Sequence, residues 1–367
     1  MNVETPPRTV TGALGFMASE TSLCSELPVA AQHCALTGDT LVISSRNAHS
    51  QLNALPIPDA TPVLIDTCQW SSKVATAERP SELSDGLFGM DTLPAMLPPR
   101  RNIETLSPSR FVTLHDRAAR QALLAETACL ARTRVITFLP TDAAVLARPH
   151  LDHLLADLAA TTPRQFAFLF AAARQPLANW ERLTGLRSLL AAYPGSYILG
   201  ADVLAGTDAL AHGAALVGVG AASSRRQPTR PKDPGGPPSV GFLPGLWLRE
   251  LFDTRSPLVF ADWFANEPSP YCHHCRRPLD LFDTTAGDKA AIIRHNVHAI
   301  ADFVADMNRQ PHHHRSAWLA QARVEAFERH LWLTAAARPI DADRALRALC
   351  EMDDPAHRST TPAGQWT

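Results

Sequence analysis

The sequence predicts an α/β protein, a (β/α)8 barrel of the TIM type with an appendage near its C-terminus. Two observations carry the barrel. Short apolar runs alternate with helix-period segments of roughly ten to eighteen residues, the signature of βα units around a parallel sheet. The 367 residues, 46% hydrophobic and 19% charged, are enough to bury a core of that size. A third observation marks the appendage: Cys272 and Cys275 stand at Cys-x2-Cys spacing, and after nineteen intervening residues comes His295-Asn296-Val297-His298.

In chain order, residues 1–25 read as a loosely ordered N-terminus and 26–239 as the barrel body. Ala35–Arg46 reads as a short hairpin or edge strand. Pro62–Asp66 (PVLID) is a compact apolar run ending in a carboxylate, which suits a buried parallel strand. Residues 79–110, rich in Pro, Ser and Arg, read as a long loop with short helices, the kind of loop that is often functional. A helix over about 115–132 precedes strand Arg134–Leu139, and helix His150–Ala160 precedes strand Gln165–Phe170. Helix Ala178–Ala192, strand Ser196–Leu199, a short helix at Thr207–His212 and strand Ala215–Val219 complete the series. Five or six such units fit an eight-membered barrel with some irregular members, and a doubly wound open sheet is the competing architecture. Residues 225–238 form a basic, Pro/Gly-rich loop. The appendage follows over 240–335, with helices expected at Ala286–Asn308 and Ser316–Ala335, and 336–367 is a C-terminal tail, frayed from about 350.

The formal net charge of −2 and a pI near 6.7 exclude a generic polyanion binder and leave room only for a local basic surface. Seven cysteines, an odd number without dense spacing, read as mostly buried free thiols in a reducing compartment. The N-terminus shows no basic region followed by an apolar core, and no stretch suits a membrane span. The expected location is the cytoplasm.

A Cys-x2-Cys turn brings two thiolates to one point, and a histidine about twenty residues on can complete a tetrahedral zinc site. Soft thiolate and imidazole donors favour Zn2+ over Mg2+ or Ca2+. His295 and His298 are three residues apart on one helical face and can point at the same ion. The fourth ligand is open between His298, His273, His274, a carboxylate such as Asp262, and water.

Taken together, three stretches resemble the tRNA-guanine transglycosylase family across roughly residues 35–330. Tyr197–Arg226 (YILGADVLAGTDALAHGAALVGVGAASSRR) is similar to that family's segment for the last two barrel strands, with Leu199-Gly200, Asp208-Ala209-Leu210 and Gly213 at its "MG", "EDL" and strand-opening glycine positions. Asp262–Met307 carries PYCHHC and an "HN" helix like the family's zinc segment. VLIDTCQ, within Pro62–Gln69, resembles its "LLTDSGGFQ". The family's first zinc-ligating cysteine is replaced by Pro270, while Cys272, Cys275 and His295 match the other ligands.

The resemblance implies exchange of guanine in tRNA or DNA for a purine or 7-deazapurine base. In that chemistry one carboxylate attacks the ribose C1′ and a second acts as general base, since a carboxylate can stabilise and trap an oxocarbenium-like transition state. It further implies a structural zinc and a homodimer or a heterodimer with a catalytic paralogue. Asp66 matches one carboxylate, at the end of an early strand where such barrels place their active sites. The family's nucleophilic Asp falls on Gly218 or Val219, neither of which is a nucleophile, and Asp202 is the nearest alternative, with helix capping as its plainer reading. Asp142 and Gln69 are expected to read a base edge, Gly200 to border the substrate, and Arg225 and Arg226, with Arg230 and Lys232, to follow a phosphate backbone. Asp142 reads equally as a helix cap. The missing nucleophile leaves a second expectation, a non-catalytic homologue that binds nucleic acid or a catalytic partner, with a filled mouth and an exposed apolar patch. A third sets the family aside for unrelated hydrolase or lyase chemistry, with His115 and Asp66 converging on a metal inside the barrel.

Overall fold

The computed structural model describes residues 12–19, 26–83, 102–128, 135–161, 165–221, 226–231, 245–283, 288–336 and 340–354. Eight parallel strands close into a barrel in sequence order. They are β1 (Ala13–Ala18), β2 (Thr40–Ser44), β3 (Val63–Asp66), β4 (Ile103–Leu106), β5 (Val135–Asp142), β6 (Phe166–Ala171), β7 (Tyr197–Ala201) and β8 (Leu216–Gly220). Closure is made by β1 against β8, with Gly15 opposite Gly218. The ring outside holds α1 (Glu26–Thr37), α2 (Ala48–Ala54), α3 (Arg117–Ala128), α4 (His150–Ala159), α5 (Trp180–Ala192) and α6 (Val203–Ala211). The open-sheet alternative is thereby excluded.

Side chains alternate along each strand. Met17, Val42, Leu64, Leu106, Phe138, Leu169 and Leu199 fill the barrel interior as one apolar cluster. Their neighbours Phe16, Ile43, Ile65, Leu139, Phe168, Ile198 and Val217 belong to the core shared with the helices. The barrel is a packed core and not a pore.

Three expectations are corrected here. The first barrel strand lies inside residues 1–25, as ALGFMA, whose mix of small and apolar residues after a Pro/Thr-rich stretch gives little periodic signal. Ala35–Arg46 is neither hairpin nor edge but the end of α1 and the internal strand β2, paired with both β1 and β3. The long loop over 79–110 contains β4, only four residues and interrupted by Glu104; residues 84–101 lie outside the described residues.

Beyond β8 an antiparallel hairpin, β9 (Leu246–Leu248) with β10 (Asp253–Arg255), leads to α7 (Pro257–Trp263). A two-residue pair, β11 (Tyr271–Cys272) with β12 (Arg277–Pro278), precedes the long helices α8 (Lys289–Asn308) and α9 (Arg315–Ala336). Helix α8 packs on α1 and α9 on α6, so this antiparallel pair closes the helical ring where an eighth barrel helix would stand. Part of the expected tail is α10 (Arg344–Asp353), which buries Leu346, Leu349 and Cys350 against α5 and α9. No described helix is long and apolar enough to cross a membrane.

Candidate metal centre and the barrel mouth

The β11–β12 turn presents Cys272 and Cys275, and the first half of α8 presents His295 and His298. The four donor atoms all lie within 4.8 Å of one another, so the group can hold a metal ion. Cys272 Sγ stands 3.2 Å from His298 Nε2, and Cys275 Sγ 3.8 Å from both His295 Nδ1 and His298 Nε2. The Cys272 thiol is held well below its ordinary range, first by the hydrogen bond from Cys275 and then by His295 and His298, which favours the thiolate a metal requires. The fourth donor, left open by the sequence, is His298. His274 turns away to Asp302, at 2.8 Å, and His273 packs on the Tyr271 ring.

The supporting contacts explain the His295-Asn296 pair. His295 Nε2–H donates to the Trp247 carbonyl at 3.0 Å, and because a carbonyl only accepts, Nδ1 is left with its lone pair toward the sulfurs. Asn296 Oδ1 accepts from Trp247 N–H at 2.7 Å, and its Nδ2 donates to the Gly245 carbonyl at 2.8 Å. Two adjacent side chains of α8 thus hold one edge of β9, while β10 pairs with it as the other strand of the hairpin. Asn296 was not singled out from the sequence, because its partners lie about fifty residues upstream.

At the C-terminal end of the barrel, Asp66 points inward and is 2% exposed. It accepts from Ser44 Oγ at 2.6 Å, Cys68 N–H at 2.7 Å and Trp70 Nε1–H at 3.1 Å. The Cys68 contact is made with a left-handed backbone, φ 56°, which a non-glycine residue rarely adopts and the surrounding bonds must hold in place. Gln69 opens the 3-10 turn that carries Trp70.

Gly218 is the inward position of β8 and Val219 faces the helices. A Cβ on Gly218 would lie 2.7 Å from Leu199 Cδ2 and 3.1 Å from Met17 Cγ, so the space beside the place expected for the nucleophile is taken up by these two side chains, which would have to shift to admit another.

Residues 226–231 run across the ends of β5, β6 and β7. The Pro228 carbonyl accepts from Ala172 N–H at 3.1 Å, and its ring covers Gly200, where φ is +68° and an added Cβ would meet Pro228 Cγ at 3.0 Å. Arg230 pairs with Asp142 at 2.5 Å, and Asp142 also caps the 3-10 turn after β5 by accepting from Ala144 N–H. Gly200 and Asp142 therefore anchor a covering segment.

Asp202 is the N-cap of α6, accepting from Ala205 N–H at 2.8 Å, and it borders a cavity that Asp66 does not line. Arg226, expected on the surface, is 5% exposed and donates to the carbonyls of Gly220 and Ala221 and to Thr254 Oγ1, tying the end of β8 to β10. Its side chain is used inside the fold and does not form a phosphate track. Arg225 and Lys232 lie outside the described residues. His115 packs against His150, and the Cys272–His298 group is the one metal-capable cluster among the described residues, so no metal site forms there around Asp66.

Burial pushes the Asp202 carboxyl from an ordinary 3.8 up to about 6, with the Asp343 charge adding to it and the Ala205 N–H and Arg226 opposing it. A raised acid is protonated in the folded chain while the unfolded chain is already ionised, so stability falls as pH rises from about 4 to about 6 and stays lower above that. Asn caps a helix as well as Asp does. Asp202→Asn is therefore expected to be more stable than the parent at high pH by roughly 1–2 kcal/mol, after discounting for solvent reaching the side chain through the cavity. The gain should vanish near the low end of that window. Thermal melts across the range check this, and a variant less stable at high pH would contradict it.

The fold and site define the class of protein: a (β/α)8 barrel whose last strand leads into an appendage with a Cys2His2 metal-capable centre. Comparison with protein-family models, curated proteins and solved structures gives no match for the chain.

Proposed function

We propose that the chain is a divergent barrel of the tRNA-guanine transglycosylase type that no longer exchanges bases and acts as a binding or accessory subunit. The observation that carries this reading is Gly218, whose inward position is closed by Leu199 and Met17. Base exchange through a glycosyl-enzyme needs a carboxylate there or a substitute facing Asp66, and Asp202 borders a separate cavity. The segment over Gly200 and the use of Asp142 and Arg230 as each other's partners support the same reading. Arg226 and Arg230 are engaged within the fold, which favours a protein partner, in the manner of a heterodimer with a catalytic paralogue, over a nucleic-acid backbone. Five large apolar side chains exposed on the appendage, Leu258, Tyr271, Leu281, Leu331 and Trp332, suit that role. We assign the metal as structural zinc, because two thiolates and two imidazoles are its preferred donors and the four atoms lie within 4.8 Å of one another.

Labelled guanine exchange into bulk tRNA and into duplex DNA tests the reading, with the metal-loaded protein and Asp66→Asn as control. No exchange is expected from either protein. Exchange by the parent that Asp66→Asn abolishes would restore the enzyme reading, with tRNA or DNA and a 7-deazapurine as substrates.

A further inference from the structure

The two thiols of the metal centre stand apart from the other described cysteines. Cys272 and Cys275 are half-buried, whereas Cys34, Cys68 and Cys350 are 0%, 8% and 2% exposed. Burial also raises the Cys34 and Cys350 thiols, the latter to about 12, so neither supplies a reactive thiolate at neutral pH. A sulfur that ligates a metal is deprotonated and remains a nucleophile. The sulfurs of Cys272 and Cys275 lie within 4.8 Å of each other across a two-residue loop, and Cys275 N–H donates to Cys272 Sγ at 3.4 Å. A disulfide needs them about 2 Å apart. That closure involves the β11–β12 turn alone, while His295 and His298 stay on α8. The centre also positions the hairpin. His295 and Asn296 hold the main chain at Gly245 and Trp247. Thr254, opposite Trp247, accepts from Arg226 Nη1 at 3.2 Å, and Arg226 begins the segment that covers the ends of β5, β6 and β7.

We propose that the centre is an oxidant-sensitive switch: a peroxide converts Cys272 and Cys275 to a disulfide, the metal leaves, and the β9–β10 hairpin is released from α8. The inference rests on the zinc reading above. One thiolate attacks the peroxide; the O–O bond breaks, the sulfur becomes a sulfenic acid and hydroxide departs. The second thiolate attacks that sulfur, forms the S–S bond and expels a second hydroxide. Two protons convert the hydroxides to water. Two thiolates have then given two electrons to one peroxide, and Zn2+ keeps its charge. Two imidazoles hold zinc far more weakly than four donors do, so the ion dissociates. His295 loses the partner that fixes its ring, and its bond to Trp247 is one of the three that hold β9. A dithiol reverses the step by exchange, because the half-buried sulfurs stay open to attack.

The test treats the full-length, zinc-loaded chain with hydrogen peroxide. Released zinc is followed with a chromogenic chelator, each cysteine by peptide mass mapping, and residues 245–255 by hydrogen exchange. One zinc should be released for each Cys272–Cys275 disulfide formed, with Cys34, Cys68 and Cys350 still reduced. Labelling over 245–255 should quicken by about tenfold or more while β5 and β6 stay protected. Dithiothreitol with added zinc should restore the parent pattern. A chain that binds no zinc at the outset removes the metal reading and this inference with it. The switch alone is overturned if the zinc-loaded chain keeps its metal at peroxide levels that oxidise free glutathione, if the two sulfurs pass to sulfinic acid without a disulfide, if a buried cysteine is oxidised first, or if zinc leaves with no change over 245–255.

Discussion

Replacing Cys272 and Cys275 together by Ser is expected to leave the chain without its metal and to lower its melting temperature by about 10 °C or more, since a structural zinc contributes on the order of 10 kcal/mol of apparent binding energy to the folded state. The loss should not spread evenly. His295 and Asn296 hold β9 by three hydrogen bonds to Gly245 and Trp247, and β9 carries β10. Without the metal His295 loses its fixed orientation, and the hairpin should open before the barrel does. Hydrogen exchange by mass spectrometry would read this directly, as early labelling over 245–255 with β5 and β6 still protected. Metal analysis of the parent should give one zinc per chain. A parent without bound metal, or a double variant that melts with the parent, would remove the metal from the account of this fold.

The second large effect is expected at Arg323. Its guanidinium is 1% exposed and donates to Asp208 Oδ1 at 2.9 Å and to Asp353 Oδ2 at 2.8 Å. Arg187 joins the same two carboxylates at 2.7 Å each. Four charges from α5, α6, α9 and α10 thus neutralise one another in the interior and pin the C-terminal helices to the barrel. Burial alone would raise the Asp208 carboxyl, but the Arg323 charge and the Arg187 hydrogen bonds outweigh it and hold the group well below the usual carboxylate range. Truncating Arg323 leaves two carboxylates to share Arg187 alone and removes the one partner buried with Asp208, so Arg323→Ala should cost about 3–5 kcal/mol in urea unfolding. Asp208 also sets an acid limit. A depressed acid stabilises the fold fully above its unfolded value of 3.8 and loses that contribution as pH falls below it. The parent should lose stability steeply in that range and Asp208→Asn less so. A cost under about 1 kcal/mol for Arg323→Ala would show that water or rearrangement replaces the network.

How much of this was legible differs by element. Strands β5 to β8 and their helices stood out because each is an apolar run beside a segment of helical period. β1 and β4 did not, because a short barrel strand needs neither a clean alternation nor length: ALGFMA and IETL become strands through their neighbours. Helix α10 was hidden for the same reason, since its buried Leu346 and Leu349 matter only against α5 and α9. Asp66 was found at a strand end, but its three hydrogen-bond donors were not foreseeable as a set. Asp208 was noted only as part of a resemblance; its partner Arg323 is 115 residues away.

The sequence by itself determined the alternation that closes the barrel and three of the metal donors, with His298 among the candidates for the fourth, because these are local: a period of two or 3.6 residues, a two-residue turn between thiols, and two histidines one helical turn apart. Only the tertiary structure decided which charges are consumed. Arg226 and Arg230 read as surface cations and are tied into the fold, Asp202 and Asp343, 141 residues apart, line one cavity, and Gly218 loses its space to Met17 and Leu199. The physical reason is that desolvation and contact depend on what lies within a few ångströms in space, and those neighbours are set by how the barrel closes and where the last helices dock upon it.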